Sequence, residues 1–163
     1  MIVEDARTKI VRTVNTEMVI AYWHIGKEIV KEEQKGKARA GYGQRLLEVL
    51  ARRLSDDFGK GFDDSNLWNM RKFYQTYPIL DSVRRELSWT HYRILMRVDK
   101  PQARSFYEIE CIKNNWSARE LERQKGSLLY ERLALKRKKM NEAPARIGEI
   151  IEKVNAFLKK LYE

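Results

Sequence analysis

The stretch Gly59-Lys-Gly-Phe-Asp-Asp-Ser-Asn-Leu-Trp-Asn-Met-Arg-Lys-Phe-Tyr-Gln-Thr-Tyr77 decides how the chain reads. Gly59 and Gly61 break a preceding helix, because glycine adopts the left-handed backbone a helix stop needs. Asp63 or Asp64 then offers an N-cap carboxylate for a free backbone N–H of the next helix. That helix ends at Pro78, since proline disfavours helical backbone in the residue before it. Projected at about 100° per residue, Leu67, Met70, Phe73, Tyr74 and Tyr77 fall within an arc of roughly 120° and must face a core. Trp68, Asn69, Arg71, Lys72, Gln75 and Thr76 occupy the opposite arc. Two helices joined by a short Gly-containing turn form the minimal helix-turn-helix pattern.

The outward set has the chemistry of a DNA reader. Lys and Arg neutralise phosphates, while Asn, Gln and Arg form paired hydrogen bonds to purine edges. Trp68, Asn69, Arg71, Lys72 and Gln75 are therefore the candidate contacts on this helix. The same pattern also suits an ordinary helical hairpin, with the polar face solvated and Trp68 docked on a neighbouring helix.

Outward from this core the periodicity stays helical. A first helix is expected over about Glu4–Glu33, with Ile10, Val14, Tyr22, Ile25 and Ile29 as its apolar stripe, broadened by Val19 and Trp23. A polar loop, Gln34–Gly43, leads to a second helix over Gln44–Phe58, which buries Leu46, Leu47, Leu50, Leu54 and Phe58. Downstream, Ser88 caps a helix over Trp89–Val98, and Pro101 suits the first turn of another that ends near Asn114. Ser117-Ala-Arg-Glu120 is a capping box, so one long helix is expected from there to about Lys138. Asn141–Pro144 reads as a linker before an amphipathic helix over Arg146–Tyr162, whose stripe is Ile147, Ile150, Ile151, Val154, Phe157, Leu158 and Leu161. The expected class is all-α: a multi-helix domain over 1–139 containing a helix-turn-helix, then a linker and appended helix over 140–163.

Composition narrows the partners. Among 163 residues, 33 Lys and Arg face 23 Asp and Glu, a net charge of +10 that favours polyanions such as DNA. Arg39 and Arg45 belong to a basic cluster within Gln34–Arg53, and Arg119 and Arg123 to another within Lys113–Lys139. Such residues strengthen phosphate binding without reading sequence. The lone Cys111 sits in an apolar helical pattern and reads as a buried thiol; no intrachain disulfide can form. His24 and His91 lie far apart with no cysteine at ligand spacing, so no metal or other cofactor is expected. No apolar run approaches the roughly 18 residues of a membrane span. The acidic start lacks a secretory pattern, which makes a cytoplasmic location the expectation.

Several short strings occur in fixed order: Tyr22-Trp-His-Ile-Gly26, Arg39-Ala-Gly-Tyr-Gly43, Gly61-Phe62, Asn66-Leu67, Met70-Arg71 and Phe73-Tyr74. Leu87-Ser-Trp-Thr-His-Tyr92 and Asn115-Trp-Ser-Ala-Arg-Glu-Leu-Glu-Arg123 follow. Over Ile10–Lys138 the chain resembles the N-terminal domain of the YhcG-like family, predicted PD-(D/E)XK nucleases of bacteria and their mobile elements. The resemblance implies a helical DNA-binding module, followed in relatives by a nuclease domain. Leu67, Met70, Phe73 and Tyr74 face inward on the projection and report fold. Arg71 is the outward position within these strings, and so the favoured functional residue.

A nuclease of that class needs a strand-rich core holding carboxylates and a lysine around a metal. Glu33-Gln-Lys35 matches the tripeptide only at a helix end, and the residues after Lys139 are too few for such a core. No catalytic residue is therefore expected in the chain, and a nuclease partner or domain is expected to supply the chemistry. Two competing readings accompany the DNA-binding one. The first is an interaction module that forms a homo-oligomer through 146–162; the second is an autonomous enzyme, for which no clustered catalytic set is visible.

Overall fold

A computed structural model describes the backbone of residues 2–36 and 41–161, and the side chains over the same ranges except 2, 143–145 and 157–161. The described residues form helices and connectors without a strand, as expected for an all-α chain. In order these are α1 (Ile2–Lys35), α2 (Tyr42–Phe58), α3 (Asp64–Thr76), a short 3-10 turn (Leu80–Ser82), α4 (Trp89–Leu95), α5 (Pro101–Lys113), α6 (Ala118–Gly126) and α7 (Leu129–Leu161). Residues 1–121 form one compact unit and residues 122–163 a second. None of the described helices is long and apolar enough to cross a membrane.

The first unit is built around the pairing of α1 with α3. Leu67, Met70 and Phe73 of α3 are fully buried, and Val19, Trp23 and Ile29 of α1 nearly so. A side chain at Gly26 would meet the backbone carbonyl of Met70, so the glycine is what lets the two helices touch. Phe73 lies 4.7 Å from Tyr92 and 5.3 Å from Trp89, ring centre to ring centre, which ties α4 into the same core. Trp23 donates its indole N–H to the Tyr77 carbonyl, satisfying the last turn of α3 across the interface. Burying these aromatic side chains is the main favourable contribution, at about 25 cal/mol per Å² of apolar area.

The local signals around α3 act as expected. Asp63 rather than Asp64 is the N-cap; its carboxylate accepts from the Asn66 N–H at 3.0 Å. Gly59 and Gly61 both take positive φ, at 81° and 117°. Ser88 caps α4 in a box completed by His91, and Pro101 opens α5.

Several expectations need correction. On α1 only part of the stripe is covered: Ile10 and Val14 are 63% and 55% exposed. On α2 Phe58 is 70% exposed; it touches Phe62 beside the turn, and the buried position is Ala51. The helix expected over Trp89–Val98 ends at Leu95, and its last turn tightens into i→i+3 bonds from Arg97 and Val98. The helix expected from Ser117 to Lys138 breaks at Gly126–Leu128, where Leu128 takes φ 54°. Glycine and serine there are weak helix formers, and the left-handed residue ends α6.

In the second unit α7 runs without interruption through Asn141–Pro144, where a linker is expected. Proline removes one backbone donor, but the Lys, Arg, Glu, Ala and Ile residues around it favour the helix. Its described residues are largely exposed, including Ile147, Ile150, Ile151 and Val154. The side chains of Phe157, Leu158 and Leu161, which complete the expected stripe, lie outside the described residues.

One partly buried carboxylate makes stability depend on pH. Glu108 is held against Arg84 at 3.5 Å and accepts a long bond from the Tyr77 hydroxyl at 3.4 Å. Burial nevertheless raises its carboxyl above the ordinary range, with Arg84 only partly offsetting it. A raised value in the fold means that the native state favours the protonated acid. The stabilisation is complete below the unfolded value and is lost as pH rises through the folded one. Glu108→Gln should therefore hold its melting temperature from weakly acidic to neutral pH while the parent chain declines. Parallel declines in both proteins would refute this.

Candidate nucleic-acid interface

The α2–turn–α3 segment presents one exposed polar face. Trp68 is 46% exposed, and the Lys72 ammonium lies 5.3 Å from its ring centre. The pair is a cation–π contact, which keeps the lysine charge over a solvent-facing indole. Gln75 is exposed one turn further on, and Asn69 is partly exposed between them. The Asn69 amide donates back to the Ser65 carbonyl at 2.9 Å. Its oxygen remains free for a donor, and a two-bond contact to adenine requires the side chain to turn.

Arg71 does not share this face. Its guanidinium Nε lies 2.6 Å from a Glu33 carboxylate oxygen on α1, and both side chains are largely buried, at 30% and 17% exposure. The 100° projection places Arg71 outside the α3 core arc, but α1 is wide enough in its reach to meet it there. Arg71 therefore fastens α3 to α1, and Glu33, met in the sequence as part of a chance tripeptide, is its anchor. Lys35, the other end of that tripeptide, pairs with Glu32. Arg71→Ala is expected to cost about 1.5–3 kcal/mol of stability, the range for a hydrogen bond to a charged group. An unchanged denaturation midpoint would show that the pair contributes nothing.

The remaining described sequence candidates lie on α2 and α6 rather than α3. Arg45 is exposed on the first turn of α2, and Arg119 is exposed on the first turn of α6. Arg123 lies across the boundary in the second unit. Arg39 lies outside the described residues.

Residues that sequence reading weighs as chemistry are taken up by structure. His91 Nδ1 accepts from the Ser88 N–H at 3.2 Å, so Nε2 carries the proton and donates to the Trp116 carbonyl at 3.0 Å. Cys111 is buried, and burial pushes its thiol up to about 11, with the nearby Glu108 charge adding to the shift. A thiol this basic is a poor nucleophile at neutral pH.

Asn66 is the residue whose importance is hardest to see in sequence. Its amide nitrogen donates to the Gly61 carbonyl within the turn, and its oxygen accepts the Trp89 indole N–H at 3.0 Å. The Tyr22 hydroxyl bonds to it as well. One side chain thus joins the turn, α1, α3 and α4. Only its place in the Asn66-Leu67 string hints at this.

Fold and surface together define an all-helical module built on the α1–α3 pair, with a polar and cationic face of α3 left in solvent. The chain belongs to the family of DUF1016 N-terminal domains, which matches residues 1–132. It is 36% identical to a protein of Escherichia coli (strain K12) named "Putative nuclease YhcG", in an alignment covering 82% of this chain and 44% of that relative. The chain thus spans less than half the length of that relative. No solved structure matches it. The resemblance carried by the ordered motif strings is borne out.

Proposed function

We propose that the chain is a DNA-binding module of a nuclease-type protein, non-catalytic in itself, and that α3 meets duplex DNA through Trp68, Asn69, Lys72 and Gln75. The observation that carries this reading is the exposed Trp68–Lys72 pair flanked by two amides on a helix whose other face is fully committed to the core. A large aromatic ring held in solvent under a lysine is suited to packing against a sugar-phosphate wall. The amides beside it can reach base edges. The net charge of +10 supplies the long-range attraction. The non-catalytic part of the reading rests on His91, Cys111 and Glu33, all of which are spent on internal contacts. Cleavage chemistry then falls to a nuclease partner or domain, as the name of the Escherichia coli relative suggests.

Titration of a labelled duplex at several salt concentrations tests this. Binding should weaken steeply with salt, because neutralised phosphates release counterions. Joint replacement of Asn69, Lys72 and Gln75 by alanine should weaken specific binding by about 30-fold or more, since the two amide contacts at roughly 1–3 kcal/mol each sum to at least about 2 kcal/mol. The triple variant should keep its melting temperature. No binding at low salt, or full binding by the triple variant, sinks the proposal.

A second reading, association through α7, is favoured by the 50–59% exposure of Ile147, Ile150, Ile151 and Val154. A homo-oligomer through 146–162 would cover them. Sedimentation of the parent chain beside an Ile150→Glu, Ile151→Glu variant separates the two: a monomeric parent chain leaves only the DNA reading.

A further inference from the structure

Away from α3, the first unit contains an open cleft lined by Arg12 and Asn15 of α1, by Arg85, by Thr90 of α4, and by Asn115 and Ser117 ahead of α6. Its lining is set by a change of character along α1. Gly26, Trp23 and Val19 form the body-facing stripe, and continuing it backwards by three- and four-residue steps reaches Thr16, Asn15 and Arg12. A stripe that is buried and apolar over two turns thus becomes arginine and amide where it borders the cleft. Arg12 and Asn15 on that face are exposed, so their polar groups are available to a polar partner.

The walls of the cleft are fixed before anything binds. Thr16 donates its hydroxyl to the Arg85 carbonyl at 3.1 Å, which pins the connector to α1. The Tyr92 hydroxyl accepts the Arg84 N–H and donates to the Arg84 carbonyl, holding the neighbouring residue from the other side. Leu87 is buried beneath, and His91 locks Ser88 to Trp116, so the two rims are joined. Arg12 and Arg85 are exposed, and neither forms an ion pair with a described residue. Glu86 is the one carboxylate among the lining residues, so two cations face one anion. Arg119 stands next to Ala118, which also lines the cleft.

We propose that this cleft is a second DNA contact, in which Arg12 and Arg85 grip phosphates of the duplex backbone while Asn15, Thr90 and Ser117 hydrogen-bond phosphate or sugar oxygens. Contacts of this kind position a protein on DNA and carry no sequence information. Guanidinium groups suit the task because their donors match phosphate geometry. The assignment rests on the DNA-binding reading of α3 and extends it from one helix to a two-point grip.

The test measures duplex affinity against salt for the full chain, for Arg12→Ala with Arg85→Ala, and for a charge-matched control, Arg93→Ala on the exposed side of α4 with Arg97→Ala, exposed in the turn that follows it. Losing two phosphate contacts should flatten the slope of log K against log salt by about 1.8, at roughly 0.9 per contact. The control should retain the parental slope, and Arg12→Lys with Arg85→Lys should restore most of it. Equal losses in the cleft variant and the control would reduce the effect to net charge and overturn the proposal. Parental binding by the cleft variant would overturn it while leaving the α3 reading intact. Failure of the parent chain to bind would end both. Amide signals of Thr90, Asn115 and Ser117 in the unmodified protein give an independent readout; duplex DNA should shift them, and their indifference at saturation would also overturn the cleft assignment.

Discussion

Gly26→Ala is expected to lower the melting temperature by about 10 °C, a loss of roughly 3 kcal/mol at the 2–4 °C per kcal/mol usual for a chain of this size. A methyl group at position 26 would stand 2.0 Å from the Met70 carbonyl oxygen and 2.7 Å from its carbon. These are backbone atoms of α3, so no rotamer change relieves the clash. Relief requires the two helices to separate, and the separation loosens Trp23, Tyr74 and Met70 together. Overpacking of this kind costs about 1–3 kcal/mol and sometimes more. Alanine is intrinsically the better helix former by about 1 kcal/mol, which works in the other direction. The clash prevails because the whole α1–α3 interface must move. Gly148→Ala on α7 makes the matching control. Nothing lies within 4 Å of a side chain there, so the propensity gain stands alone and helix content should rise slightly. Equal or higher stability of Gly26→Ala would mean that the close approach of the helices is not needed.

Asn66→Leu is expected to be the next most damaging change, at about 2–4 kcal/mol. The replacement has nearly the same size, so packing alone predicts little effect. It leaves the Trp89 indole N–H without its acceptor and the Gly61 carbonyl without its donor. Each buried group left unsatisfied costs roughly 1–3 kcal/mol. The local result should be a looser turn between α2 and α3, visible as a red shift of tryptophan emission as Trp89 meets water. Asn66→Asp separates the two bonds. It keeps the acceptor for Trp89 and loses the donor to Gly61, so it should fall between the parent chain and the leucine variant. A leucine variant as stable as the parent would show that the network contributes nothing.

These two residues also mark how a functional consequence follows from packing. The α3 face that carries Trp68, Asn69, Lys72 and Gln75 is presented only while Gly26 and Asn66 hold the helix in place. Loss of DNA binding in either variant is expected to track loss of fold, whereas the triple change on the exposed face should separate binding from stability. The melting temperature and the duplex titration, measured on the same variants, therefore distinguish residues that build the surface from those that use it.

Much of the fold is legible in the chain itself. Helical periodicity, the glycine pair before Asp63, the Ser88 cap and the Pro101 start are local signals, and local signals operate within one or two turns of backbone. The inward set Leu67, Met70 and Phe73 is likewise readable, because a helix that alternates apolar and polar faces has one way to bury the former. The family strings are visible for the same reason: they are dense in residues that packing and turns demand.

The tertiary structure alone decided what each outward residue of α3 meets. Arg71 and Lys72 are adjacent cations with the same local propensities, yet Arg71 is committed to Glu33, 38 residues away in the chain, while Lys72 lies over Trp68 in solvent. No periodicity encodes that difference, since it depends on where α1 crosses α3, and the crossing is set by the missing side chain at Gly26. Arg12 and Arg85 are brought to one cleft by the same packing, across a separation that local pattern cannot span. The chain by itself determined which helices form and which faces are apolar; the helix crossing determined that Arg71 is paired with Glu33 while Lys72 stays beside Trp68.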